Sequence, residues 1–205
     1  MPAKKDSKER SYTSDASPRQ EVLLKGWVAQ VRDLGGLKFF MLRDSKGMIQ
    51  VTLKKGDSPK PLIDLVGKLN REDCVAVLGR VKEARQAPGG REIVPEKIDV
   101  ISKSEQVLPI DIDSKIETGI DKRHDWRSID LRDPRNAAIF RIQSKIVEGM
   151  QDWLIKNDYV QVFTPCLMGS ASESGSDVFP VMYYDKEAFL RQDPQLHRQL
   201  VIAGG

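Results

Sequence analysis

The sequence predicts a multidomain chain in which an all-β barrel is followed by an α+β segment. Short apolar runs separated by turn residues occupy the first half, and one amphipathic helical segment interrupts them. The second half opens on a long helical pattern and continues as short strand-like runs. At 205 residues, 40% of them hydrophobic, the chain has room for one large domain or two small ones.

Composition argues against several classes of protein. A net charge of +3 is weak evidence for a polyanionic partner. Cys74 and Cys166 stand far apart without a CxxC motif, which favours reduced thiols in a cytoplasmic protein over a zinc site. No apolar run approaches membrane-spanning length, so no membrane partner is expected. Residues 1–20 are charged and Ser-rich, and a disordered tail is expected there.

The barrel is expected over residues 21–107. Leu62, Leu65, Val66 and Leu69 indicate one amphipathic helix between the third and fourth strands. Five strands with a helix at that place form the layout of an oligonucleotide/oligosaccharide-binding (OB) barrel, whose second and third strands offer a groove for single-stranded nucleic acid. The strand-like runs are VLLKGWVAQVR, KFFMLRD, MIQVTLK, CVAVLGRVKEA and EIVPEKIDVIS.

The second and third strands are predicted to pair around the turn Asp44–Gly47, which has Asp first and Gly last. Pairing Arg43 with Met48 then places Met41 opposite Gln50. The register gives a core face of Phe40, Leu42, Ile49, Val51 and Leu53. It gives an open face of Phe39, Met41, Arg43, Met48, Gln50 and Thr52.

An aromatic ring beside an amide on an open face is typical of a platform that stacks a nucleobase and binds its edge. Phe39 supplies the ring and Gln50 the amide, and Arg32 adds a cation at the end of the first strand. The residues alone equally allow Phe39 to lie under a loop, with Gln50 exposed to solvent for no functional reason.

Residues 108–132 have mixed charge and no sustained period, so a linker or hinge is expected between the barrel and a second domain at 133–205. Arg and Asp alternate near its end, which favours salt bridges over a catalytic carboxylate pair. A helix is predicted from Pro134 to about Asn157. A short strand ending on Pro165, a Ser/Gly-rich loop, another strand and a final amphipathic helix follow.

Both parts resemble aspartyl-tRNA synthetases of the archaeal/eukaryotic (class IIb) type. The anticodon-binding OB domain of that family resembles GWVAQVRDLGGLKFFMLRDSKGMIQVTL. The start of its class II catalytic core, an α+β domain with an antiparallel sheet, resembles RSIDLRDPRNAAIFRIQSKI and VFTPCLMGSASESGSDVFPVMYYDKEAFLRQDPQLHRQ. The resemblance runs in order over residues 21–205, so 133–205 is expected to be an incomplete core. The sister asparaginyl enzymes share much of it.

The resemblance implies that the first domain binds the anticodon of tRNA(Asp). It implies stacking of an aromatic ring on the central base, an amide at that base's edge, and two further contacts. Relatives that strictly select tRNA(Asp) tend to carry Trp and Lys where this chain has Ala29 and Pro88. These two residues resemble the non-discriminating type, which also charges tRNA(Asn) with aspartate. The residues with implied anticodon contacts are Arg32, Phe39, Gln50 and Glu96.

In the second domain the resemblance implies an amino-acid pocket and a dimer interface. Pro165 matches the proline of motif 1, which lies at the interface of a homodimer. Glu173 matches a loop residue that holds the α-ammonium group of the amino acid. Gln195 matches a substrate-binding Gln, and Arg198 stands where the family has a Lys for the aspartate side chain. A cation there favours L-aspartate over asparagine, and residues three apart share a helix face.

The chemistry implied for the complete enzyme is activation of aspartate by ATP with Mg²⁺, followed by transfer to tRNA. The family's charge-stabilising residues belong to motifs 2 and 3, downstream of residue 205. No catalytic residue or metal ligand is therefore expected within this chain, and neither ATP nor Mg²⁺ is expected to bind it alone. We interpret the sequence as the N-terminal part of an aspartate–tRNA ligase. A non-catalytic tRNA-binding or dimerising paralogue and an asparagine–tRNA ligase relative are the alternatives.

Overall fold

The computed structural model describes residues 9–105, 107–112, 117–170, 177–193 and 195–205. The chain divides into two compact units, Met1–Trp126 and Arg127–Gly205. The first contains a β-barrel and the second a long helix with a small sheet.

The first unit is a closed barrel with one helix between its third and fourth main strands, which confirms the predicted OB fold. Its elements are β1 (Arg10–Ser11), β2 (Glu21–Asp33), β3 (Leu37–Arg43), β4 (Met48–Lys54), α1 (Lys60–Val66), β5 (Cys74–Glu83) and β6 (Arg91–Ser102). The sheet runs in the order β1-β2-β3-β4-β6-β5. It closes into a barrel because β2 also pairs with β5.

Alternate residues of the strands fill the barrel interior, since successive side chains of a strand point to opposite faces. The residues predicted for the core face are all fully buried, namely Phe40, Leu42, Ile49, Val51 and Leu53. Val66 of α1 belongs to the same apolar cluster. Truncating a large side chain in such a core costs about 2–5 kcal/mol, so this interior holds the opposite face of β3 and β4 in a fixed geometry.

Residues 9–20 are packed against the barrel, so the disordered tail predicted for residues 1–20 is wrong for this part; residues 1–8 lie outside the described ranges. β1 pairs in parallel with β2. The buried Thr13 donates from its backbone N and its hydroxyl to Asp44, both at 2.7 Å. Arg91 donates to the carbonyl oxygens of Thr13 and Ala16. Hydrogen bonds to the barrel hold this segment in place. The composition of the segment does not indicate these bonds, because it shows only that aliphatic residues are few.

The predicted linker, residues 108–132, is also partly structured. Ile110 and Ile112 are buried, and Asp111 between them lies 3.5 Å from the guanidinium of Arg71. Two short helices follow, α2 (Ile120–Asp125) and α3 (Arg127–Asp130). An alternation of three residues is too short to establish a period, which is why the pattern did not indicate this packing.

The second unit begins with α3 and continues into α4 (Pro134–Lys156), which confirms the predicted long helix. Proline at its first turn and a capping carboxylate start it, since Asp133 accepts from the backbone N of Arg135 at 2.9 Å. The buried Asp130 accepts from Arg127 at 3.1 Å and from Asn136 at 2.8 Å. These contacts agree with the salt-bridged, structural interpretation of the alternating charges.

Three short strands and a last helix complete the second unit. The strands form an antiparallel sheet in the order β7-β9-β8, as predicted for the α+β segment. The strand predicted to end on Pro165 does not form, and β7 begins two residues later. Of the helices in the described ranges, none combines the length and apolar composition of a membrane span. The elements are β7 (Leu167–Met168), β8 (Pro180–Tyr183), β9 (Lys186–Leu190) and α5 (Gln195–Ala203).

Candidate nucleic-acid interface

The outer face of β2, β3 and β4 carries two rows of side chains that cross the strands. In the first row, Phe39 pairs with Arg32 on one side and with Thr52 on the other. In the second, Met41 pairs with Gln50, as the sequence predicted. Cross-strand partners point to the same face and lie within contact distance. The structure therefore brings Arg32, Phe39 and Gln50 onto one surface.

A β-bulge in β2 turns Arg32 toward this surface. The register shifts between Val28, which is buried in the core, and Gln30, which is exposed. The extra residue is Ala29, and it reverses which side chains of β2 face outward. Without the bulge, Arg32 would share the inward face of Val28. Ala29, predicted to influence tRNA selection, thus lies at the point that orients the cation.

Phe39 is half-buried at the centre of the first row, and Arg32 beside it is exposed. At the end of the same strands the ammonium of Lys38 lies 3.1 Å from Asp33. That contact, together with a hydrogen bond from the backbone N of Gly35, lowers the pKa of the Asp33 carboxyl. The ring therefore lies next to an exposed guanidinium and a hairpin end held by the Lys38–Asp33 salt bridge. This arrangement suits a stacked base with a phosphate nearby.

Gln50 belongs to a small hydrogen-bond network that the sequence reasoning missed. Its Nε2 donates to Thr52 Oγ1 at 3.0 Å and to Glu92 Oε2 at 3.3 Å. Thr52 Oγ1 in turn donates to Glu92 Oε2 at 2.7 Å. Glu92 arrives here because β6 pairs in parallel with β4, with Gln50 opposite Glu92. No local sequence signal indicates that pairing, since 42 residues separate the two side chains.

Two residues predicted for the open face are buried instead. Arg43 turns toward Glu72, and Nη2 of Arg43 donates to both carboxylate oxygens of Glu72 at 2.8 Å. Thr52 is also buried, and its hydroxyl donates to Glu92. Arg43 is therefore a structural cation, and Arg32 is the guanidinium that this face exposes next to Phe39.

The structure places Glu96 and Pro88 at other points of the barrel. Glu96 is exposed on β6, four residues beyond Glu92, and accepts from Arg80 Nε at 3.2 Å. Pro88 is exposed in the 3-10 turn Pro88–Gly90 that joins β5 to β6. Their predicted roles in tRNA binding and selection stay predictions.

In the second unit, Gln195 and Arg198 are both exposed on α5. Residues three apart lie on one face of a helix, so the two side chains can enter one pocket. Asp193 begins the helix by accepting from the backbone N of Gln195 at 2.9 Å. The third predicted pocket residue, Glu173, lies outside the described residues, and the pocket stays a prediction.

Pro165 lies in an exposed segment before β7. Its carbonyl oxygen accepts a hydrogen bond from Nη1 of Arg191 at 2.7 Å. Nη1 of Arg191 also donates to the carbonyl oxygen of Thr164 at 3.0 Å and to the hydroxyl of Thr164. Arg191 thus joins the motif around Pro165 to the end of β9. The sequence reasoning did not single out this arginine, because its partners are backbone oxygens.

Comparison with known families defines the class of protein. Residues 22–101 match the OB-fold nucleic acid binding domain, and residues 119–205 match the class II tRNA synthetases of the D, K and N group. The chain is thus similar to an OB-fold nucleic acid binding domain followed by a segment of the class II tRNA synthetases.

Among the curated relatives that it matches are aspartate–tRNA ligases. The chain is 42% identical over 199 residues to the aspartate–tRNA(Asp/Asn) ligase of Archaeoglobus fulgidus, which covers 96% of the chain and 46% of that relative. It is 40% identical over 186 residues to the aspartate–tRNA(Asp) ligase of Pyrococcus abyssi, covering 91% and 42%. The chain thus spans less than half the length of these relatives.

The fold resembles a solved synthetase from the asparagine branch. The asparaginyl-tRNA synthetase of Pyrococcus horikoshii, in complex with asparaginyl-adenylate, superposes with a TM-score of 0.86 at 31% identity. The match covers 96% of this chain and 45% of that structure.

Proposed function

We propose that the barrel binds the anticodon of tRNA(Asp), as part of an aspartate–tRNA ligase whose complete form activates aspartate with ATP and transfers it to the tRNA. The observation that carries this proposal is the row Arg32–Phe39–Thr52 with Gln50 beside it. The similarity to curated aspartate–tRNA ligases supports the same function.

Each side chain of the platform has a separate task in this proposal. The ring of Phe39 stacks on the central anticodon base, and the amide of Gln50 binds that base's edge. The exposed guanidinium of Arg32 contacts the neighbouring phosphate, which adds a salt-dependent attraction. Stacking on one aromatic ring contributes about 1–3 kcal/mol.

The test is a Phe39→Ala variant measured against an anticodon stem-loop of tRNA(Asp) by fluorescence anisotropy. A loss of about 1–3 kcal/mol weakens binding about 5- to 140-fold. Phe163→Ala, at a phenylalanine of the second unit that is 88% exposed, is the matched control and should leave the affinity unchanged. Equal affinities of the wild type and Phe39→Ala would contradict the proposal and favour a paralogue without this role.

The complete protein is further proposed to charge tRNA(Asn) as well as tRNA(Asp). The small Ala29 at the bulge and the exposed Pro88 support this, because neither adds a bulky or charged side chain that would reject a second anticodon. In the complete enzyme, Ala29→Trp combined with Pro88→Lys should abolish charging of tRNA(Asn) and retain that of tRNA(Asp). Unchanged charging of both tRNAs would refute the assignment.

The amino-acid pocket is proposed to include Gln195 and Arg198, with Glu173, and to select L-aspartate by charge. ATP and Mg²⁺ are proposed for the complete enzyme. Within the described ranges no group of three or more His, Cys, Asp and Glu side chains is placed to hold a metal ion. We therefore assign none of these residues to Mg²⁺.

A homodimer in the cytoplasm is proposed for the complete enzyme, with Pro165 and α4 at the interface. The support is the exposed apolar stripe of α4, which includes Ile142, Ile146 and Trp153, each about 60% exposed. Sedimentation of the complete enzyme with Ile146→Asp should show a monomer. The control Ser144→Asp, at an exposed position on the opposite side of α4, should remain dimeric.

A further inference from the structure

We propose that residues 71–73, directly before β5, position the chain where it leaves the barrel, so that a tRNA held at the barrel presents its 3′ end correctly to the catalytic core of the complete enzyme. These three residues contact β2 and β3 on one side and the chain that follows β6 on the other. This inference rests on the proposed anticodon-binding function. Asp73 becomes a positioning residue for the transfer of aspartate to tRNA.

The first set of contacts ties residues 71–73 to the strands of the platform. The backbone N of Glu72 donates to the carbonyl oxygen of Val28 at 2.7 Å, and the backbone N of Val28 donates to the carbonyl oxygen of Asp73 at 2.9 Å. Val28 lies directly before the bulge in β2. The side chain of Glu72 accepts from the buried Arg43 at the end of β3. Residues 71–73 are therefore fixed to β2 at its bulge and to β3.

The second set of contacts holds the exit segment, which we define as residues 103–105 and 107–112. Asp73 accepts from Nζ of Lys103 at 2.7 Å and from the backbone N of Ser104 at 2.8 Å. The hydroxyl of Ser104 donates to the carbonyl oxygen of Arg71. Further along, the guanidinium of Arg71 lies 3.5 Å from Asp111. The exit segment is thus attached to residues 71–73 at two separate points.

Burial and backbone conformation indicate that this joint is rigid. The side chain of Asp73 is 0% exposed, and burying a carboxylate is costly unless its oxygens are hydrogen-bonded. Glu72 has a φ of 66°, in the left-handed region that residues other than glycine rarely adopt. Such backbone strain persists only where the surrounding contacts determine it, and it is concentrated at functional and switching segments. The conformation lets Glu72 reach β3 while its two neighbours reach the exit segment.

The consequence concerns the transfer step of the proposed reaction. The geometry of the platform and the direction in which the chain leaves the barrel depend on the same three residues. Misplacing a reacting group by about 1 Å can cost about 100-fold in rate, even when the change lies far from the chemistry. Loosening the exit segment by a fraction of that distance should therefore slow the transfer of aspartate about tenfold. Binding of an anticodon stem-loop and activation of aspartate should not change, because neither step needs the 3′ end of a barrel-bound tRNA in the catalytic core.

The test measures three quantities in the complete enzyme with Asp73→Asn: kcat for charging of tRNA(Asp), ATP–pyrophosphate exchange, and affinity for the anticodon stem-loop. The variant removes the charge that holds Lys103, so kcat should fall about tenfold while the other two quantities stay at the wild-type level. Asp64→Asn, at an exposed position on α1, is the matched control and should leave all three unchanged.

Three milder variants act from the side of the exit segment and leave residues 71–73 intact. Lys103→Met removes the ammonium and should lower kcat without changing stem-loop affinity, whereas Lys60→Met on α1 is its exposed control. Ser104→Ala removes the hydroxyl and should lower kcat by a smaller factor. Ser104→Thr retains the hydroxyl and should restore the wild-type rate. If Asp73→Asn does not fold, as judged by circular dichroism, these variants decide the matter.

The possible results are distinguishable. A wild type that does not bind the stem-loop would overturn the proposed function itself, and this inference with it. A folded Asp73→Asn that charges tRNA at the wild-type rate would overturn the inference and leave anticodon binding in place. So would a variant in which stem-loop affinity or aspartate activation falls along with kcat, because Asp73 would then only stabilise the fold. A fall in kcat alone, shared by Lys103→Met and absent from both controls, would support the positioning role.

Discussion

Replacing Glu72 with glutamine should strongly destabilise the barrel, because Glu72 is the buried counter-charge of Arg43. The side chains of Arg43 and Glu72 are only 10% and 2% exposed, and Arg43 Nη2 lies 2.8 Å from both carboxylate oxygens. Glu72→Gln keeps the shape of the side chain and removes its charge. The guanidinium of Arg43 is then buried without a counter-charge.

The magnitude follows from the environment of the pair. Charges about 4 Å apart at an effective dielectric constant of about 20 interact with about 4 kcal/mol. Removing one partner of a buried pair costs about 3–5 kcal/mol. Glutamine retains a hydrogen-bond acceptor, so we expect a loss near the lower end, about 3 kcal/mol. Glu96→Gln breaks the exposed pair with Arg80 and should cost less than about 1 kcal/mol.

The assay is the free energy of unfolding in urea, with amide hydrogen exchange of β3 and β4 as the probe. Exchange in these strands reports on the stability of the barrel separately from that of the second unit. A double variant, Arg43→Met with Glu72→Leu, removes both charges and should be more stable than Glu72→Gln alone, because no unpaired charge remains buried. The reasoning is refuted if Glu72→Gln loses no more stability than Glu96→Gln, since Arg43 would then be solvated like a surface residue.

Two further predictions concern the barrel. A methyl group in Gly79→Ala would meet the backbone of the neighbouring strand, including Pro95 Cα at 2.8 Å, so this variant should lose about 1–3 kcal/mol in urea unfolding. Gly149→Ala, in open space on α4, should be neutral or stabilising by up to about 1 kcal/mol. Burial raises the pKa of Asp73, but hydrogen bonds from Lys103 and two backbone N–H groups outweigh it, and the net pKa lies below 3.8. A carboxyl with a lowered folded pKa stabilises the fold above its unfolded pKa, so the stability difference between wild type and Asp73→Asn should shrink as the pH falls below about 4. A difference independent of pH would contradict that account.

The predictions that the structure confirmed rest on local patterns. The pairing of Phe39 with Thr52 and of Met41 with Gln50 follows from a four-residue turn and an alternation of period two. The long helix of the second unit follows from Asp133 and Pro134 at its start and the apolar period behind them. Such signals involve neighbours in the chain, so one sequence suffices to find them.

The errors share a different cause. Composition predicts a tail over residues 9–20 and a linker over residues 110–112, although Thr13 and Ile112 are buried. Their partners, including Asp44 and Arg91 for the first segment, lie 31 and more residues away in the chain. Composition describes a segment alone, and a polar segment can be ordered by hydrogen bonds to distant groups.

The amino-acid sequence alone was enough to establish an OB barrel followed by a class II synthetase segment, and to place Phe39 and Gln50 on one open face. The three-dimensional arrangement was needed to show that a bulge at Ala29 turns Arg32 outward, that Glu72 withdraws Arg43, and that Glu92 reaches Gln50. The physical reason is the distance along the chain over which each interaction acts. Strand alternation and helix capping act between near neighbours, whereas the charge and hydrogen-bond partners of a binding surface come from strands that only closure of the barrel brings together.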